Sequence, residues 1–286
     1  MNRKPILSVL SPTYNCSDYI TRSYDCLSNQ LFTDWEWIVV DDGSSDNSLE
    51  ILNAIDDPRI KIISYEINMG RGYARNLGLK NCNTDIVVIW DIDDLYLPER
   101  LYLIYNSLVV ENYDFFASCA LVVRNNFEIK GVRSFYKNKL YKSFVHPTLA
   151  FKKSTNVGYD ETMRAGEDLL PMVTLSNNFK GFYSDKILML YFEDREINLR
   201  KSIFMHDSHM ISIKRIFKQK IINLSLKEKF IINIGLILKK IALRILLIFP
   251  SIYLKSVAYR DINNTVKISE SDLKFLENYK NKYNLY

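Results

Sequence analysis

The stretch Asp85-Ile86-Val87-Val88-Ile89-Trp90-Asp91-Ile92-Asp93-Asp94 decides the fold of this chain. Its nearly unbroken apolar run ends at a group of carboxylates. A strand this apolar is typical of a parallel sheet that is covered on both faces, because a half-exposed strand would alternate polar and apolar residues. In open sheets of this kind, ligands bind beyond the carboxyl ends of the strands. We therefore expect Asp91, Asp93 and Asp94 to lie at a binding edge.

The residues before this stretch alternate between predicted strands and predicted helices. Apolar or β-rich runs predict strands, and residues with helical spacing or turn signals around them predict helices. The predicted strands cover residues 6–10, 35–40 and 59–65, the predicted helices cover 17–30, 45–55 and 72–79, and Pro98 opens the next helix. The first strand ends in Ser11-Pro12-Thr13-Tyr14-Asn15 and the second in Asp41-Asp42-Gly43-Ser44. The sequence thus predicts an α/β fold with polar residues gathered at one rim of a mainly parallel sheet.

Composition excludes several other classes. The 286 residues are 48% hydrophobic with a net charge of +5, which argues against disorder, and 9 Gly and 4 Cys exclude collagen-like and disulfide-scaffold proteins. The four cysteines lack the spacing of zinc ligands, and we expect reduced, buried thiols at Cys16, Cys26, Cys82 and Cys119. No long apolar core follows the first residues, so we expect no export signal.

Charge divides the chain unevenly. Residues 1–200 carry a net charge of −5, whereas residues 201–286 carry +10. Such asymmetry indicates a separate task for the tail. We expect one domain over residues 1–205 and a basic, amphipathic helical appendage over 206–286.

The carboxylates at the predicted rim suit a hard divalent cation such as Mg²⁺ or Mn²⁺, which proteins hold with one or two carboxylates plus substrate phosphates. The alternative is that these residues are solvated turn residues. The glycine-containing segment 70–78 does not have the spacing of a dinucleotide fingerprint, and the chain contains no phosphate loop with Gly-Lys-Ser/Thr.

Five blocks resemble family 2 glycosyltransferases in order and spacing. They are Ser11-Pro12-Thr13-Tyr14-Asn15, the stretch 39–46 around Asp41-Asp42-Gly43-Ser44, the segment 68–79 with Ala74-Arg75-Asn76, Trp90-Asp91-Ile92-Asp93-Asp94 with Pro98, and Gly166-Glu167-Asp168. The resemblance covers about residues 5–195. It implies a GT-A type, Rossmann-like sheet flanked by helices, followed here by the helical appendage.

The resemblance also implies roles for individual residues. Pro12, Thr13 and Tyr14 would surround the nucleotide base and ribose, and Asp42 would accept a hydrogen bond from the imide N–H of the base. Arg75 would approach the base or diphosphate, Asp91 would bond the ribose, and Asp93, with Asp91 beside it, would bind Mn²⁺ or Mg²⁺. Uridine is the base that this set favours. Asp168 would be the catalytic base of an inverting transfer from a nucleotide-sugar, with Glu167 as its competitor.

Other readings of these residues stay open. The pair Glu167-Asp168 also suits the start of a helix, where carboxylates favour the positive end of the helix dipole. His146 lies in a strand-like stretch and is either structural or directed to the acceptor, and His206 is either a late metal ligand or a surface residue. Among the aromatic residues near the rim, we expect Trp37 and Trp90 to belong to the core, whereas Tyr14 and Trp35 could stack on a base or sugar.

The tail between Met210 and Arg244 combines nine basic residues and one acidic residue with Ile and Leu at helical spacing. Charges interrupt the apolar run too often for a membrane-spanning helix. We expect it to lie on an anionic membrane surface or to pack as a lid on the first domain. Nucleic acid is not expected as a partner, because the basic stretch contains almost no stacking aromatic residues. A final polar helix, capped by Ser269 or Ser271, ends the chain.

We therefore expect a metal-dependent glycosyltransferase on the inner face of the cytoplasmic membrane, adding a sugar to a glycan or glycolipid acceptor in bacterial surface-polysaccharide synthesis. One alternative is a nucleotidyltransferase, although the residues after the first strand are not a basic, glycine-rich phosphate loop. The other is a non-catalytic glycan- or nucleotide-binding module, against which the presence of both Asp93 and Asp168 argues.

Overall fold

The computed structural model describes residues 4–124, 126–138, 140–193, 199–248 and 266–282. Its first half alternates strands and helices as expected. The elements in chain order are β1 (Leu7–Thr13), α1 (Ser17–Ser28), β2 (Trp35–Asp41), α2 (Ser48–Asn53), β3 (Ile60–Ser64), α3 (Arg71–Asn81), β4 (Ile86–Ile89), β5 (Leu95–Tyr96) and α4 (Arg100–Tyr105).

The second half adds strands and then helices. After α4 come β6 (Phe115–Val123), β7 (Ile129–Arg133), β8 (Tyr136–Lys137), β9 (Lys142–Ser143), β10 (Ala150–Lys152), α5 (Leu169–Asn178), β11 (Gly181–Phe192), α6 (Leu199–Lys218), α7 (Leu226–Ile245) and α8 (Glu270–Lys282). The Ser269 side chain and the Asp272 carboxylate cap each other's backbone N–H groups at the start of α8, which confirms Ser269 as its cap.

One large sheet organises these elements. Its strand order is β3-β2-β1-β4-β10-β6-β11-β5, with β7 paired to β6. The strands β3, β2, β1 and β4 run parallel to one another, whereas β10 runs antiparallel to both β4 and β6. The carboxyl ends of β1, β2 and β4 therefore meet at one rim, as the sequence predicts.

The first strand is longer than expected. The sequence predicts an end at Ser11-Pro12, but β1 continues to Thr13, which lies in register with Asp41 of β2. Pro12, in register with Val40, is tolerated there because the pairing of β1 with β4 ends at Leu10, so that side of the strand is an edge at Pro12. This extension carries Thr13 directly to the rim.

Side chains on the two faces of the parallel strands form two separate apolar clusters. In β4, Ile86 and Val88 pack into one cluster, and Val87 and Ile89 into the other. Both faces of β4 are therefore buried, which explains the unbroken apolar run over residues 86–89. The four cysteines carry free thiols as expected; Cys26, Cys82 and Cys119 are buried, whereas Cys16, which was also expected to be buried, is only partly so.

Helices α6 and α7 are fixed to the domain through a third, smaller apolar cluster. Ile213 and Ile216 of α6 pack there against Leu169 and Val173 of α5. The predicted boundary between residues 205 and 206 lies inside α6, which runs without interruption from Leu199 to Lys218. Within the described ranges, the helices lack the combination of length and apolar composition that crossing a membrane requires.

Candidate active site

A cavity of about 980 Å³ opens at the carboxyl rim of the parallel strands. The ends of β1, β2 and β4 line it together with residues of the segments 133–136, 143–147 and 164–168. All the residues to which the resemblance assigns a main role line this cavity: Pro12, Thr13, Tyr14, Asp42, Arg75, Asp91, Asp93 and Asp168. The fold therefore brings together residues that are separated by more than 150 positions in the chain.

Two loops at the rim are joined by hydrogen bonds. The backbone N–H of Asp42 donates to the carbonyl of Thr13 at 2.8 Å, and the N–H of Asn15 donates to Ser44 Oγ at 2.9 Å. Tyr14 is 46% exposed, so a ligand can reach it. This arrangement holds Thr13 and Tyr14 beside Asp42.

The Asp42 carboxylate is buried and accepts several hydrogen bonds. Its Oδ1 accepts from Tyr65 Oη at 2.8 Å and from the N–H of Met69 at 2.7 Å, and its Oδ2 accepts from the N–H of Gly70 at 2.9 Å. Burial and the bond to Asp42 raise the pKa of Tyr65. Because a carboxylate oxygen accepts two hydrogen bonds, Oδ2 retains one acceptor position for a ligand N–H.

Gly43 makes the turn after β2 possible. Its φ is +73°, and a Cβ at this position would lie 2.9 Å from the backbone nitrogen of Asn68 and 2.9 Å from the carbonyl oxygen of Glu66. Only glycine fits both the left-handed conformation and the close approach of the segment 66–68. The residues on either side of that segment, Tyr65, Met69 and Gly70, supply the donors to Asp42.

Arg75 on α3 lies at the centre of the charged groups. Its side chain is 2% exposed; Nη2 lies 3.1 Å from Asp91 Oδ1, and Nη1 lies 2.9 Å from Glu167 Oε1. Burial disfavours the charged guanidinium, but Asp91, Tyr159 and Glu167 outweigh it and raise the pKa of Arg75. Burial by itself would raise the pKa of Asp91, but the positive charges of Arg75 and Arg71 outweigh burial and lower it. Asp91 is therefore charged and already paired with a cation.

The two carboxylates of the segment 166–168 differ in their surroundings. Glu167 is buried, and its Oε1 contacts Arg75 and, at 3.2 Å, Nε of Arg71. Asp168 lies immediately before α5 and makes no side-chain cap to that helix. Burial, and then repulsion by Glu167, raise the pKa of Asp168 against the opposing effect of Arg75 and Arg71. A carboxylate with a raised pKa at a cavity wall has the properties of a general base.

The acidic segment after β4 holds two different carboxylates. Asp93 is exposed to the cavity, and its backbone carbonyl accepts from Arg22 Nη2 at 2.9 Å. Asp94 is buried, and its Oδ1 accepts from the N–H of Phe192 at 3.1 Å. Burial and the charges of Asp93 and Asp91 raise the pKa of Asp94 well above its usual range. Asp94 therefore fastens the loop to β11, whereas Asp93 lines the cavity.

A divalent cation fits Asp93 only together with a ligand. Among the residues that the structure describes, His, Cys, Asp and Glu do not gather in a group of three that could hold a metal. Asp91 is paired with Arg75, whereas Asp93 is exposed at the cavity wall, where an incoming cation can reach its carboxylate. Mg²⁺ and Mn²⁺ bind in this way, with few protein oxygens and the rest from phosphates and water.

The two histidines of interest are in different places. His146 lines the cavity, and its Nε2 lies 3.0 Å from Tyr159 Oη. Burial, and then the charge of Arg75, lower its pKa well below the usual range, so it is neutral. His206 lies on α6, where its Nε2 lies 2.9 Å from the carbonyl oxygen of Leu236, and it is not part of the cavity wall. Trp37 and Trp90 are buried in the core as predicted, and so is Trp35.

Sequence reasoning missed Arg71, Arg164 and Tyr159. Arg71 compensates Glu167, and Arg164 lines the cavity and donates to Asn68 Oδ1 at 3.0 Å. Tyr159 packs its ring 5.3 Å from the Arg75 guanidinium. Arg164 could have been noticed in the sequence, because it stands two residues before Gly166. Arg71 and Tyr159 gave no local signal, because their contacts join segments that are far apart in the chain.

A family model described as glycosyl transferase family 2 matches residues 8–166. An uncharacterized glycosyltransferase of Haemophilus influenzae is 34% identical over 120 residues, which cover 39% of this chain and 48% of that protein. The Escherichia coli enzyme WfgD is 29% identical over 121 residues, covering 42% of this chain and 48% of its own length; its name describes a β-1,3-glucosyltransferase with UDP-Glc as donor and α-D-GlcNAc-diphosphoundecaprenol as acceptor. The chain spans about half the length of these relatives.

Solved structures with this architecture include Staphylococcus aureus TarS 1–349 in complex with UDP-GlcNAc. It has a TM-score of 0.58 and 24% identity, and the match covers 74% of this chain and 66% of that chain. The mannosyltransferase PcManGT from Pyrobaculum calidifontis, in complex with GDP-Man and Mn²⁺, has a TM-score of 0.58 and 16% identity, covering 99% of this chain and 81% of that chain. At these identities the likeness concerns the fold, and the predicted GT-A type is confirmed.

Proposed function

This chain belongs to glycosyl transferase family 2, and on that premise we propose that it transfers a sugar from a nucleotide-sugar, with inversion, to a hydroxyl of a glycan or glycolipid acceptor in bacterial surface-polysaccharide synthesis. The observation that carries this proposal is the position of Asp168. It lies at the wall of the cavity that Asp42 and Asp93 also line, and its pKa is raised. A base on one side and a site for a nucleoside diphosphate on the other are what direct sugar transfer requires.

The donor occupies the side formed by the parallel strands. Thr13 and Tyr14 surround the base and ribose, and Asp42 accepts a base N–H at the free position of its Oδ2. Uridine is favoured, and the names of WfgD and the TarS complex, which print UDP-Glc and UDP-GlcNAc, agree with it. Guanine also presents a ring N–H, and PcManGT was solved with GDP-Man, so the test includes guanosine donors.

Asp93 is the residue that would hold a divalent cation, Mn²⁺ or Mg²⁺. When bound, such an ion neutralises the negative charge that develops on the departing diphosphate. Arg75 cannot take over this task alone, because Asp91 and Glu167 already compensate its charge. Asp91, fixed by Arg75, presents its carboxylate edge to the ribose hydroxyls.

Asp168 removes the proton from the acceptor hydroxyl as the oxygen attacks the anomeric carbon. The bond between that carbon and the diphosphate oxygen breaks, and the nucleoside diphosphate leaves with the electron pair. Because attack and departure occur on opposite faces, the anomeric configuration inverts. Glu167 is less suited to this role, since two arginines compensate its charge.

The acceptor-bearing surface is proposed to be the inner face of the cytoplasmic membrane, with α7 lying on anionic lipid. One face of α7 packs on the domain through Ile232, Leu236 and Leu243. The remaining apolar side chains of the helix are exposed: Leu226, Phe230, Ile231, Ile234, Ile237, Leu238, Ile241 and Ile245. Apolar side chains flanked by an excess of Lys and Arg are typical of a helix in the interface of an anionic membrane.

A panel of nucleotide-sugars tests the proposed activity. The wild-type protein is incubated with UDP-Glc, UDP-GlcNAc, UDP-Gal, GDP-Man and CMP-sialic acid in Mn²⁺, and release of the free nucleotide is followed with and without membrane lipid extract. We expect UDP-sugars to lose UDP faster than the other donors lose their nucleotides. Absence of release from every donor, under both conditions, would contradict a glycosyltransferase.

A further inference from the structure

Helix α6 lies outside the stretch that the family model matches, yet it contacts the segment that carries Asp168. Ser212 Oγ donates to the carbonyl oxygen of Gly166 at 3.2 Å. The same carbonyl accepts from the N–H of Leu169 at 3.3 Å, which closes the turn through Glu167 and Asp168. The hydroxyl of α6 thus holds the turn on which both carboxylates lie.

A second contact lies one helical turn further along α6. Arg215 Nη1 donates to Thr162 Oγ1 at 2.7 Å and forms an ion pair with Asp160. Asp160 also accepts from the N–H of Thr162 at 3.1 Å. The guanidinium of Arg215 therefore holds residues 160–162, and Ser212 holds Gly166 a few residues further along the same stretch of chain.

Helix α3 also contacts this segment, residues 159–168. Asn76 of α3 exchanges two hydrogen bonds with the backbone of Tyr159, both at 2.9 Å. A Cβ on Gly72 would lie 2.7 Å from the carbonyl oxygen of Asp160, so the two backbones touch. The segment is therefore in contact both with α3, which carries the donor-side Arg75, and with α6.

Helix α6 is fixed against α5 by buried apolar side chains. Ile213 and Ile216 are 1% and 0% exposed and pack on Leu169 and Val173 of α5, the helix that begins directly after Asp168. Ser212 and Arg215 are neighbours of these buried residues on the same helix. A shift of α6 would therefore move the first turn of α5 and the segment before it together.

We propose that α6 is part of the acceptor half of the active site, with Ser212 and Arg215 as positioning residues that hold the segment 159–168 and, through it, Asp168. This inference rests on the proposed function, since it assumes that Asp168 acts on the acceptor. It assigns to the appended region a task in the reaction that is separate from its contact with a membrane.

Arg215→Met is compared with Arg215→Lys and with Lys214→Met, an exposed neighbour that controls for the loss of one positive charge. Three quantities are measured: kcat for UDP release from the UDP-sugar most active in the panel, the Kd of UDP with Mn²⁺, and deuterium uptake of residues 159–168. We expect Arg215→Met to lower kcat at least tenfold, to leave the Kd of UDP within twofold, and to raise uptake in the segment. Arg215→Lys restores part of kcat, because an ammonium still pairs with Asp160, and Lys214→Met resembles the wild type.

Unchanged kcat in folded Arg215→Met would overturn the proposal, and so would an equal loss of UDP binding, which would indicate a general disturbance. If Arg215→Met does not fold, Ser212→Ala decides, since it removes one hydroxyl: a fall in kcat with unaltered UDP binding supports the proposal, and unchanged kcat overturns it. If the wild type releases no nucleotide from any donor, the proposed function fails. Deuterium uptake then still shows whether α6 holds the segment.

Discussion

Arg75 Nη1 lies 2.9 Å from Glu167 Oε1, across 92 residues of sequence, and both side chains are 2–3% exposed. This ion pair joins the helix on the donor side to the segment that carries the proposed base. It also separates the roles of two adjacent carboxylates. Two arginines compensate the negative charge of Glu167, whereas the pKa of the neighbouring Asp168 is raised.

Removal of the buried cation should destabilise the protein strongly. Arg75→Met leaves Glu167 and Asp91 without their main compensating charge, and breaking a buried pair in this way costs about 3–5 kcal/mol. The control is Arg124→Met, because Arg124 forms an exposed pair with Glu128 and such pairs contribute about 0–1 kcal/mol. The free energy of unfolding in urea measures both. Equal values for the two variants would contradict the structural role of Arg75.

Asp168→Asn should abolish proton removal without disturbing the donor. We expect kcat to fall by about 10²–10⁴-fold, the usual contribution of general base catalysis, while the Kd of UDP with Mn²⁺ stays near the wild-type value. Asp185→Asn, which changes an exposed carboxylate on β11, is the matched control. Retention of more than a tenth of kcat in Asp168→Asn would exclude it as the base.

The pH dependence of kcat should report the repulsion between Glu167 and Asp168. The base acts when deprotonated, so kcat falls as the pH decreases through its pKa, and the raised pKa places this acidic limb above the usual range of an aspartate. Glu167→Gln removes the neighbouring negative charge, which lowers the pKa of Asp168 and moves the limb to lower pH. A pH–rate profile of both proteins measures the shift. A limb that stays in place or moves to higher pH would contradict this interpretation.

Asp93→Ala should remove the stimulation of nucleotide release by Mn²⁺. An ion that neutralises a leaving diphosphate supplies several kcal/mol, so we expect a fall in kcat of at least about 10²-fold at saturating donor. Asp85→Ala, an exposed aspartate at the opposite end of β4, is the control. Titration of the wild type and both variants with Mn²⁺ gives the comparison. If Asp93→Ala kept the full metal response, the proposed ligand would be wrong.

The exposed face of α7 should determine binding to anionic vesicles. Phe230 and Ile237 are 65% and 49% exposed, and burying two such side chains contributes roughly 3 kcal/mol, or about 10²-fold in partitioning. We therefore expect Phe230→Glu/Ile237→Glu to leave the pellet when co-sedimented with vesicles of phosphatidylglycerol. Val110→Glu, at an exposed apolar site on the turn after α4, serves as the control. Equal binding of the wild type to neutral and anionic vesicles would contradict an electrostatic contribution.

Much of the donor side could be predicted from local patterns. The strand 86–89 was evident because every residue in it is apolar, and the rim followed because parallel strands end on the same side of a sheet. Strand β1 was predicted too short, since the Ser-Pro pair is a turn signal in isolation and only pairing with β2 extends the strand to Thr13. For the tail, the sequence allows either packing on the first domain or contact with a membrane surface. The structure shows that α6 packs on the domain, whereas α7 exposes much of its apolar surface.

Local sequence patterns account for the order of strands and helices and for the kinds of residue at their ends, because apolar periodicity and turn chemistry act over a few neighbouring residues. Which carboxylates are compensated by a cation, and which are not, follows from the folded arrangement of the chain. The charge state of a carboxylate depends on burial and on cations within a few ångströms, and those cations come from distant parts of the chain. For the same reason, only the folded chain places Ser212 and Arg215 against the segment that carries Asp168.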